Sequence, residues 1–395
     1  MKPLQTITIF AIAVLSQALA TAQSLEFSGQ VIDSETNEPI PFAHLALVGS
    51  HTGTSSNQNG HYSLKIDKRG DLKIQVSSIG YNTLIISLKP DNRILNILLE
   101  PAVVQLESII INAIPESPRD IVEKAVKQIP LNYPIEPYFL TGYYKESENT
   151  EGNPIYIAEA VVQAAIPKAD SEDEMTIRLL KSRKSVFRKD IAFKNKLTPG
   201  GFYILIESSI VDPIDPMVIK RMKHYTFSKI GFTKFQGRDM IVIGFTDGHK
   251  RQPHSGKFTI DLESYAFVRI EQYKVHGPGL PTDDWKWTYK SFDEQFVLGA
   301  DKLWYLSSSI FIGDWIKKKT NRKFQTRRLL IPTEHSKVDL HTGKGLEFDR
   351  EKELYFKASN SDPSFWENYN YIELLENEKQ AMQRIDDLRD RNVQN

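Results

Sequence analysis

Short apolar segments, separated by turn residues, mark the chain beyond its first two dozen residues. Apolar residues from Leu72 to Val76 alternate with polar ones, which is the period of two that a half-buried strand requires. Further β-type segments lie at 25–32, 42–48, 62–66, 84–88, 94–99 and 109–111. Strands at this spacing, with no helical pattern between them, predict a β-sandwich.

One amphipathic segment interrupts the β pattern. Ser117, Pro118 and Asp120 suit the N-cap, the first and the third position of a helix. Apolar residues then recur at helical spacing from Ile121 to Ile129, and prolines follow. This pattern predicts a helix that begins the second part of the chain.

The remaining chain returns to β-type segments. Strands are predicted at 138–145, 155–165, 176–187, 225–235, 240–245, 257–262, 266–275, 285–292, 302–310 and within 323–332. A loop is predicted at 199–222, and apolar spacing predicts a closing helix at 365–390. The predicted fold is mainly β: a sandwich, then an α+β domain with a long antiparallel meander and flanking helices.

Several motifs in the first β region carry a family resemblance. They are, in chain order, Gly29–Asp33, Asn37–Ala43, Gly53–Thr54, Asn59–Tyr62 and Ser78–Tyr81. With these motifs the region from Leu25 to about Asn112 resembles the carboxypeptidase regulatory-like domain. The resemblance implies a transthyretin-like seven-stranded β-sandwich with an accessory or scaffold role and no catalytic residues.

The second region resembles the one that commonly follows this module in cell-envelope proteins of Bacteroidota-type bacteria. The motifs that carry this resemblance are Tyr143–Glu146, Glu159–Ala160, Leu180–Lys184, Gly256–Asp261 and Phe365–Asn370. The strand at 256–261 and its hairpin partner also resemble, in architecture, the half-open barrel of periplasmic lipoprotein carriers. That second likeness implies an alternative function as a carrier.

The N-terminal residues predict export. Lys2 precedes a mostly apolar stretch from Ile7 to Leu19, and Ala20–Ala22 fits the small-x-small cleavage rule. The stretch is shorter than the ~20 residues that a bilayer span needs. We predict a signal peptide at 1–22, the sandwich at 23–112, a linker at 113–118 and the antiparallel β-rich domain at 119–395. The expected location is the periplasm or cell surface, with outer-membrane association left open.

Composition narrows the classes of function. The 395 residues include 50 Lys and Arg against 50 Asp and Glu, which argues against a nucleic-acid partner. Cysteine is absent, which excludes disulfides, thiol catalysis and cysteine-ligated metals. No segment after the leader offers 18 uncharged apolar residues, so no transmembrane span is predicted.

Candidate catalytic and metal sites are sparse. Standard motifs for hydrolases, zinc peptidases and phosphate loops are absent from the sequence. His249 and His254 flank a polar turn, but zinc needs three or four ligands, so no metal or cofactor is predicted. Glu159, Glu207 and Asp261 can serve as acid–base groups only if they converge in a cleft. We therefore expect no enzyme, with a hydrolase as the least favoured alternative.

Two surface features suggest binding. An aromatic stripe can stack on sugar rings or line an apolar cavity, although such residues more often belong to a core. Trp285, Trp287 and Tyr289 of this stripe alternate, so in a strand they share one face, and Trp304 and Tyr305 follow. A basic segment can contact anionic lipid as a peripheral membrane surface, although a solvated hairpin tip is the simpler interpretation. Its members are Lys317, Lys318, Lys319, Arg322 and Lys323.

These observations lead to one favoured function and one main alternative. The favoured function is a non-enzymatic binding or scaffold protein of the cell envelope, whose partners are envelope proteins or an apolar or glycan ligand. The alternative is a periplasmic carrier that holds a lipid or other apolar ligand in a half-open barrel. A carrier requires a continuous apolar cavity between the sheet and a helix.

Overall fold

The computed structural model describes most of the chain beyond the leader. The described residues are 25–48, 53–66, 72–102, 115–168, 173–188, 202, 205, 222–250, 253–275, 285–299, 301–350, 352–359, 365, 366, 369, 374 and 378–380. The predicted signal peptide, the predicted strand at 109–111 and residues 113–114 of the predicted linker lie outside them. Most of the predicted loop at 199–222 and of the predicted closing helix also lie outside the described residues.

Within the residues that the structure describes, seven strands form the N-terminal β-sandwich. They are β1 (Leu25–Asp33), β2 (His44–Leu47), β3 (Gly53–Ser55), β4 (His61–Ile66), β5 (Leu72–Ser77), β6 (Leu84–Leu88) and β7 (Ile97–Leu99). One sheet has the order β4-β1-β7 and the other β3-β2-β5-β6. Alternate residues such as Phe27, Leu45 and Ile74 are fully buried between the sheets. The prediction of a mainly β fold with a two-sheet sandwich is confirmed.

Helix α1 (Pro118–Asn132) begins at a capping box. The Ser117 hydroxyl accepts a hydrogen bond from the Asp120 backbone N–H (3.2 Å). The Asp120 side chain in turn accepts from the Ser117 backbone N–H (3.2 Å), so two orphan donors are satisfied. Ile121, Val122 and other apolar residues of one helix face are buried. The helix predicted from the sequence is therefore present with its predicted cap.

We expect Ser117→Ala to lower the free energy of unfolding by about 1 kcal/mol, because the first turn loses its side-chain acceptor. Urea unfolding followed by circular dichroism measures this loss. Ser117→Thr keeps the hydroxyl, which accepts from the Asp120 N–H and donates to the Asp120 carboxylate (2.7 Å), and should stay within about 0.5 kcal/mol of the parent protein. Equal losses in both variants would contradict a capping role.

The second part of the chain is dominated by one antiparallel sheet. Its strands are β8 (Tyr138–Thr150), β9 (Asn153–Ile166), β10 (Thr176–Val186), β11 (Thr226–Phe235), β12 (Arg238–Thr246), β13 (His254–Asp261), β14 (Phe267–Val275), β15 (Trp285–Leu298), β16 (Trp304–Lys317), β17 (Arg322–Ser336) and β18 (Leu346–Phe348). A 3-10 helix (Met222–His224) precedes β11, and the short helix α2 (Leu354–Lys357) follows β18. All ten strands predicted here are present.

The order of strands is β11-β12-β13-β14-β15-β16-β17-β8-β9-β10-β18, so the sheet consists of two meanders and not one. They join where β17 pairs with β8, from Phe324 opposite Thr150 to Ser336 opposite Phe139. Strands β10 and β11 are consecutive among the described strands of the chain but lie near opposite edges of the sheet.

The two faces of the sheet carry different partners. Helix α1 packs on one face, which we call the helix face, where Tyr144 and Phe311 belong to the main core cluster. The opposite face, called the far face, buries a smaller cluster that includes Tyr143 and Trp366. Both faces are therefore covered around β8, and 11 of its 13 residues are buried.

The sandwich contacts one end of the large sheet. The Gly80 backbone N–H donates to the Lys234 carbonyl at the end of β11 (3.0 Å). Phe42 packs against the far-face cluster, and β3 approaches β17. Within the described part of the chain, no helix is both long and apolar enough to cross a bilayer.

Candidate functional site

A pocket of about 690 Å³ lies where the sandwich meets the large sheet. The sandwich contributes residues of β2 and β3, and the other domain contributes the end of α1 and the β15–β16 and β17 ends. Apolar side chains dominate the wall, including Pro134, Tyr138 and Leu303. The volume lies in the range of ~300–1,000 Å³ that is typical of ligand pockets.

A split in the large sheet forms one side of this pocket. Strands β16 and β17 pair only from Lys317–Arg322 to Ser309–Leu330. Beyond this point, residues 304–308 continue along β15 and residues 331–336 continue along β8. We call this opening the fork, and residues from both of its sides line the pocket. The rings of Tyr305 and His335 contact each other across it, with centroids 4.8 Å apart.

The charged groups of the pocket are mainly acidic. Glu136, Asp301 and Glu334 line it together with Lys337. The Asp301 carboxylate accepts a hydrogen bond from the Tyr305 hydroxyl (2.7 Å). Burial lowers the pKa of His44, so this imidazole is neutral at pH 7. The pocket thus combines an apolar wall with excess negative charge.

A second constellation lies on the helix face and is fully buried. Glu146 and Arg328 are opposite each other on β8 and β17, with Nε to Oε2 at 3.6 Å. The Glu146 carboxylate also accepts hydrogen bonds from the hydroxyls of Tyr144 (2.9 Å) and Tyr156 (2.7 Å). Burial lowers the pKa of Arg328, but Glu146 together with Tyr144, Tyr156 and Glu148 outweighs burial and holds that pKa above its usual value. This arrangement keeps an ion pair away from solvent.

Glu148 lies two residues along the same strand and is also fully buried. Its carboxyl group accepts from Trp315 Nε1 (2.9 Å) and from the Thr326 hydroxyl. Burial raises the pKa of Glu148 to about 8, although these hydrogen bonds and Arg328 oppose the rise. Glu148 is therefore mostly protonated at neutral pH, beside a charged pair.

The far face holds a separate ion pair. Glu159 accepts hydrogen bonds from the Tyr143 hydroxyl (2.6 Å) and from Arg183 Nη2 (3.0 Å). Burial raises the pKa of Glu159, but Arg183 together with Lys145 and Tyr143 outweighs burial, so the pKa lies below its usual value. The Arg183 guanidinium lies over the Trp366 ring at 4.5 Å. These contacts connect the sheet to the C-terminal part of the chain.

The two candidate acid–base residues that the structure places, Glu159 and Asp261, do not converge. Glu159 lies on the far face of β9, whereas Asp261 ends β13 and pairs with Arg238 (2.6 Å). Glu207 lies outside the described residues. His254 contacts Tyr225 through Nδ1 (2.6 Å) and Gln272 through Nε2 (3.2 Å). Among the residues that the structure places, no three His, Asp or Glu side chains come together in a way that suits a metal.

The predicted aromatic stripe is divided by the structure. A bulge follows Trp287, so Trp287 lies opposite Trp315 and Tyr289 lies opposite Asp314. Since Trp315 and Asp314 are consecutive, Trp287 and Tyr289 point to opposite faces, and the expectation of one shared face is wrong. Trp304 is fully buried in the core, and Trp285 begins β15. Tyr305 lines the pocket, and ligand binding by this set stays a prediction.

The predicted basic surface lies at the turn between β16 and β17. Lys319, Arg322 and Lys323 are exposed there, while Lys317 and Lys318 are half-buried. This turn is at the end of the two strands that is remote from the fork. The hairpin tip expected from the sequence is therefore present, and contact with anionic lipid stays a prediction.

Sequence reasoning missed the buried cluster and the fork. Tyr144, Glu146 and Glu148 alternate in the sequence, so a strand must place all three on one face. That spacing was a usable signal for the two carboxylates. Their partner Arg328 lies far along the chain, and local periodicity does not reveal such a pairing.

Comparison with known proteins identifies the N-terminal sandwich. Residues 27–111 match the family described as the CarboxypepD_reg-like domain. The sandwich is therefore a CarboxypepD_reg-like domain, as the sequence motifs indicated. A search of curated proteins found no match.

Two solved structures share a low similarity with the chain. The LolA superfamily protein from Nitrosomonas europaea is 13% identical, with 57% of this chain and 95% of that chain covered and a TM-score of 0.23. The 9R-lipoxygenase from Cyanothece PCC8801 is 12% identical, with 41% and 40% covered and a TM-score of 0.16. At these TM-scores neither likeness carries an argument about fold or function.

Proposed function

We propose that this chain is a non-enzymatic protein of the cell envelope that binds a partner at the pocket between its two domains. The observation that carries the proposal is the pocket itself, because both domains contribute to its wall. A CarboxypepD_reg-like domain suits a scaffold role, and its β3 strand forms part of that wall. Domain junctions are common positions for binding sites.

We also propose that the protein is exported from the cytoplasm. The predicted leader at 1–22 directs the chain to the periplasm or cell surface of a Bacteroidota-type bacterium, where it works without transmembrane helices or cofactors. The buried carboxylates of the helix face then serve stability. Glu146 and Glu148 are fully buried, so a substrate has no direct contact with them in this conformation.

Photo-crosslinking of the full chain in a Gram-negative host tests this function. We expect benzoylphenylalanine at Leu303, in the pocket wall, to give a specific adduct after irradiation. Benzoylphenylalanine in place of the exposed Glu151, in the β8–β9 turn, serves as the control. Cell fractionation and N-terminal sequencing are expected to show export and cleavage after Ala22. No adduct above the control, or a cytoplasmic chain that keeps Met1, would overturn the proposal.

A carrier is the second candidate, because the wall of the pocket is mainly apolar. The helix face itself offers little room, since Trp304, Phe311 and Tyr144 fill it as fully buried side chains. A lipid would therefore occupy the pocket at the domain junction. Native mass spectrometry of the exported protein decides between the two: a retained lipid mass supports a carrier, and the bare mass of the chain supports a scaffold.

A further inference from the structure

The pocket and the fork occupy the same place, and this indicates the class of partner. We infer that the fork accepts an extended polypeptide segment, basic and apolar in sequence, which pairs through its backbone with residues 304–308 of β16. This inference rests on the proposed function and names the partner as a protein segment. Addition of a strand to an exposed sheet edge is a recurring mode of peptide recognition.

The end of strand pairing creates the acceptor edge. Residues 304–308 pair with β15 on one side, and no described strand pairs with their other side. A strand edge presents a row of backbone N–H and C=O groups, which form a template for another strand. At ~3.3 Å per residue, five residues give an edge of roughly 16 Å. That length suits a segment of about five residues.

The two strands that border the fork differ in how well they can pair with an added strand. Residues 331–336 include Pro332, which lacks a backbone N–H, and a bulge follows between Pro332 and Glu334. A proline and a bulge both weaken an edge for pairing. Residues 304–308 also contain a bulge, between Leu306 and Ser308, but they contain no proline, so every residue of this edge keeps its backbone N–H. The β16 side is therefore the better acceptor.

The sandwich supplies a second edge to the same pocket. Strand β3 ends the sheet of order β3-β2-β5-β6, and Gly53, Thr54 and Ser55 all line the pocket. A bound segment consequently lies between two domains, each of which presents the edge of a sheet. This geometry favours an extended chain over a helix.

Charge and apolar surface define the sequence of the segment. Three carboxylates, those of Glu136, Asp301 and Glu334, outnumber Lys337 of the wall and the neighbouring Lys168, whose Nζ lies 3.6 Å from Glu136 Oε1, which leaves an excess of one negative charge. This excess favours lysine or arginine in the ligand and disfavours an anionic headgroup. Proline and tyrosine side chains of the wall suit apolar side chains at alternate positions of a strand.

Fluorescence anisotropy with a labelled peptide tests the inference. The probe is Val-Lys-Val-Thr-Val-Lys-Val-Thr, mixed with the full exported chain. Two matched peptides serve as comparisons: one with Glu in place of Lys, and one N-methylated at alternate backbone nitrogens. We expect the probe to bind and both matched peptides to bind at least tenfold more weakly. N-methylation removes backbone donors without changing side chains, so it separates strand pairing from apolar contact.

Protein variants locate the site. The double variant Glu136→Lys/Glu334→Lys is expected to weaken probe binding at least tenfold with an unchanged Tm. Glu151→Lys makes one such charge reversal, half of the charge change of the double variant, at an exposed position in the β8–β9 turn remote from the fork, and should leave affinity unchanged. Absence of probe binding, equal binding of the N-methylated peptide or equal loss in Glu151→Lys would overturn the inference.

These experiments distinguish failure of the strand-acceptor inference from failure of the proposed function. A lipid or glycan adduct at position 303, combined with failure of the peptide, would overturn the strand-acceptor inference and leave a binding protein in place. Maltohexaose and dodecanoate, added as competitors, identify those ligand classes. Failure of both crosslinking and peptide binding would reject the proposed function as well.

Discussion

Replacement of Arg328 by Met is expected to lower the free energy of unfolding by about 3–5 kcal/mol, because it leaves a buried carboxylate without its cation. Glu146 and Arg328 are both fully buried, so water cannot replace the lost partner. Arg328 also lies over the Phe311 ring at 5.9 Å, which adds a smaller loss of packing. Guanidinium unfolding followed by tryptophan fluorescence measures the change.

Three further variants separate charge from packing. Glu146→Gln combined with Arg328→Met removes both charges and should recover much of the loss, since no buried charge remains unpaired. Arg328→Lys keeps the charge and should fall between the parent and Arg328→Met. Arg322→Met changes an exposed arginine on the same strand and should stay within about 0.5 kcal/mol. A mild loss in Arg328→Met, or no recovery in the double variant, would contradict a buried ion pair.

A rise in pH from 5 to 8 is expected to destabilise the protein through Glu148. The pKa of Glu148 is raised from 4.5 to about 8 in the folded state because the carboxyl group is buried. Between these two values the folded state binds more protons than the unfolded state, so stability falls as pH increases. The difference between the folded-state and unfolded-state pKa of Glu148 corresponds to a change in the free energy of unfolding on the order of 4–5 kcal/mol. Stability from this group is complete below pH 4.5 and is lost by about pH 8.

Glu148→Gln tests this dependence, because glutamine resembles the protonated acid and does not titrate. We expect equal stability of variant and parent near pH 5, and a more stable variant at pH 8, by urea unfolding at each pH. Glu151→Gln on the neighbouring turn is exposed and provides the matched control, with little change at either pH. A variant that follows the parent at both values would show that Glu148 is already ionised in the folded protein.

The strands were predictable where one face of the sheet is apolar and the other polar. Residues 72–76 of β5 alternate strictly between apolar and polar, and Leu72, Ile74 and Val76 are the buried members of that alternation. β8 was predicted to end at Lys145 but continues to Thr150. Glu146 and Glu148 are polar, and in a sequence such residues usually mark the end of a strand. In the structure Arg328 of β17 pairs with Glu146, and Trp315 of β16 donates a hydrogen bond to Glu148.

The candidate site was less predictable than the fold, for two physical reasons. Period-two reasoning assumes regular strands, so the bulge after Trp287 reversed the side of Tyr289. The fork depends on where pairing between β16 and β17 ends, which no local pattern records. Tyr305 was selected for its aromatic ring alone, and its place in the pocket follows from that tertiary feature.

The seam between β8 and β17 has a consequence for how the chain folds. It pairs Phe139 with Ser336 and Thr150 with Phe324. The centre of the sheet therefore cannot form until residues from distant parts of the sequence have come together. Such high contact order implies slow folding, because a long loop must close before the contacts form. During synthesis β8–β10 emerge long before β17, and their open edge remains an aggregation hazard until β17 has been made. This protein should therefore depend on assistance from chaperones in the compartment where it matures.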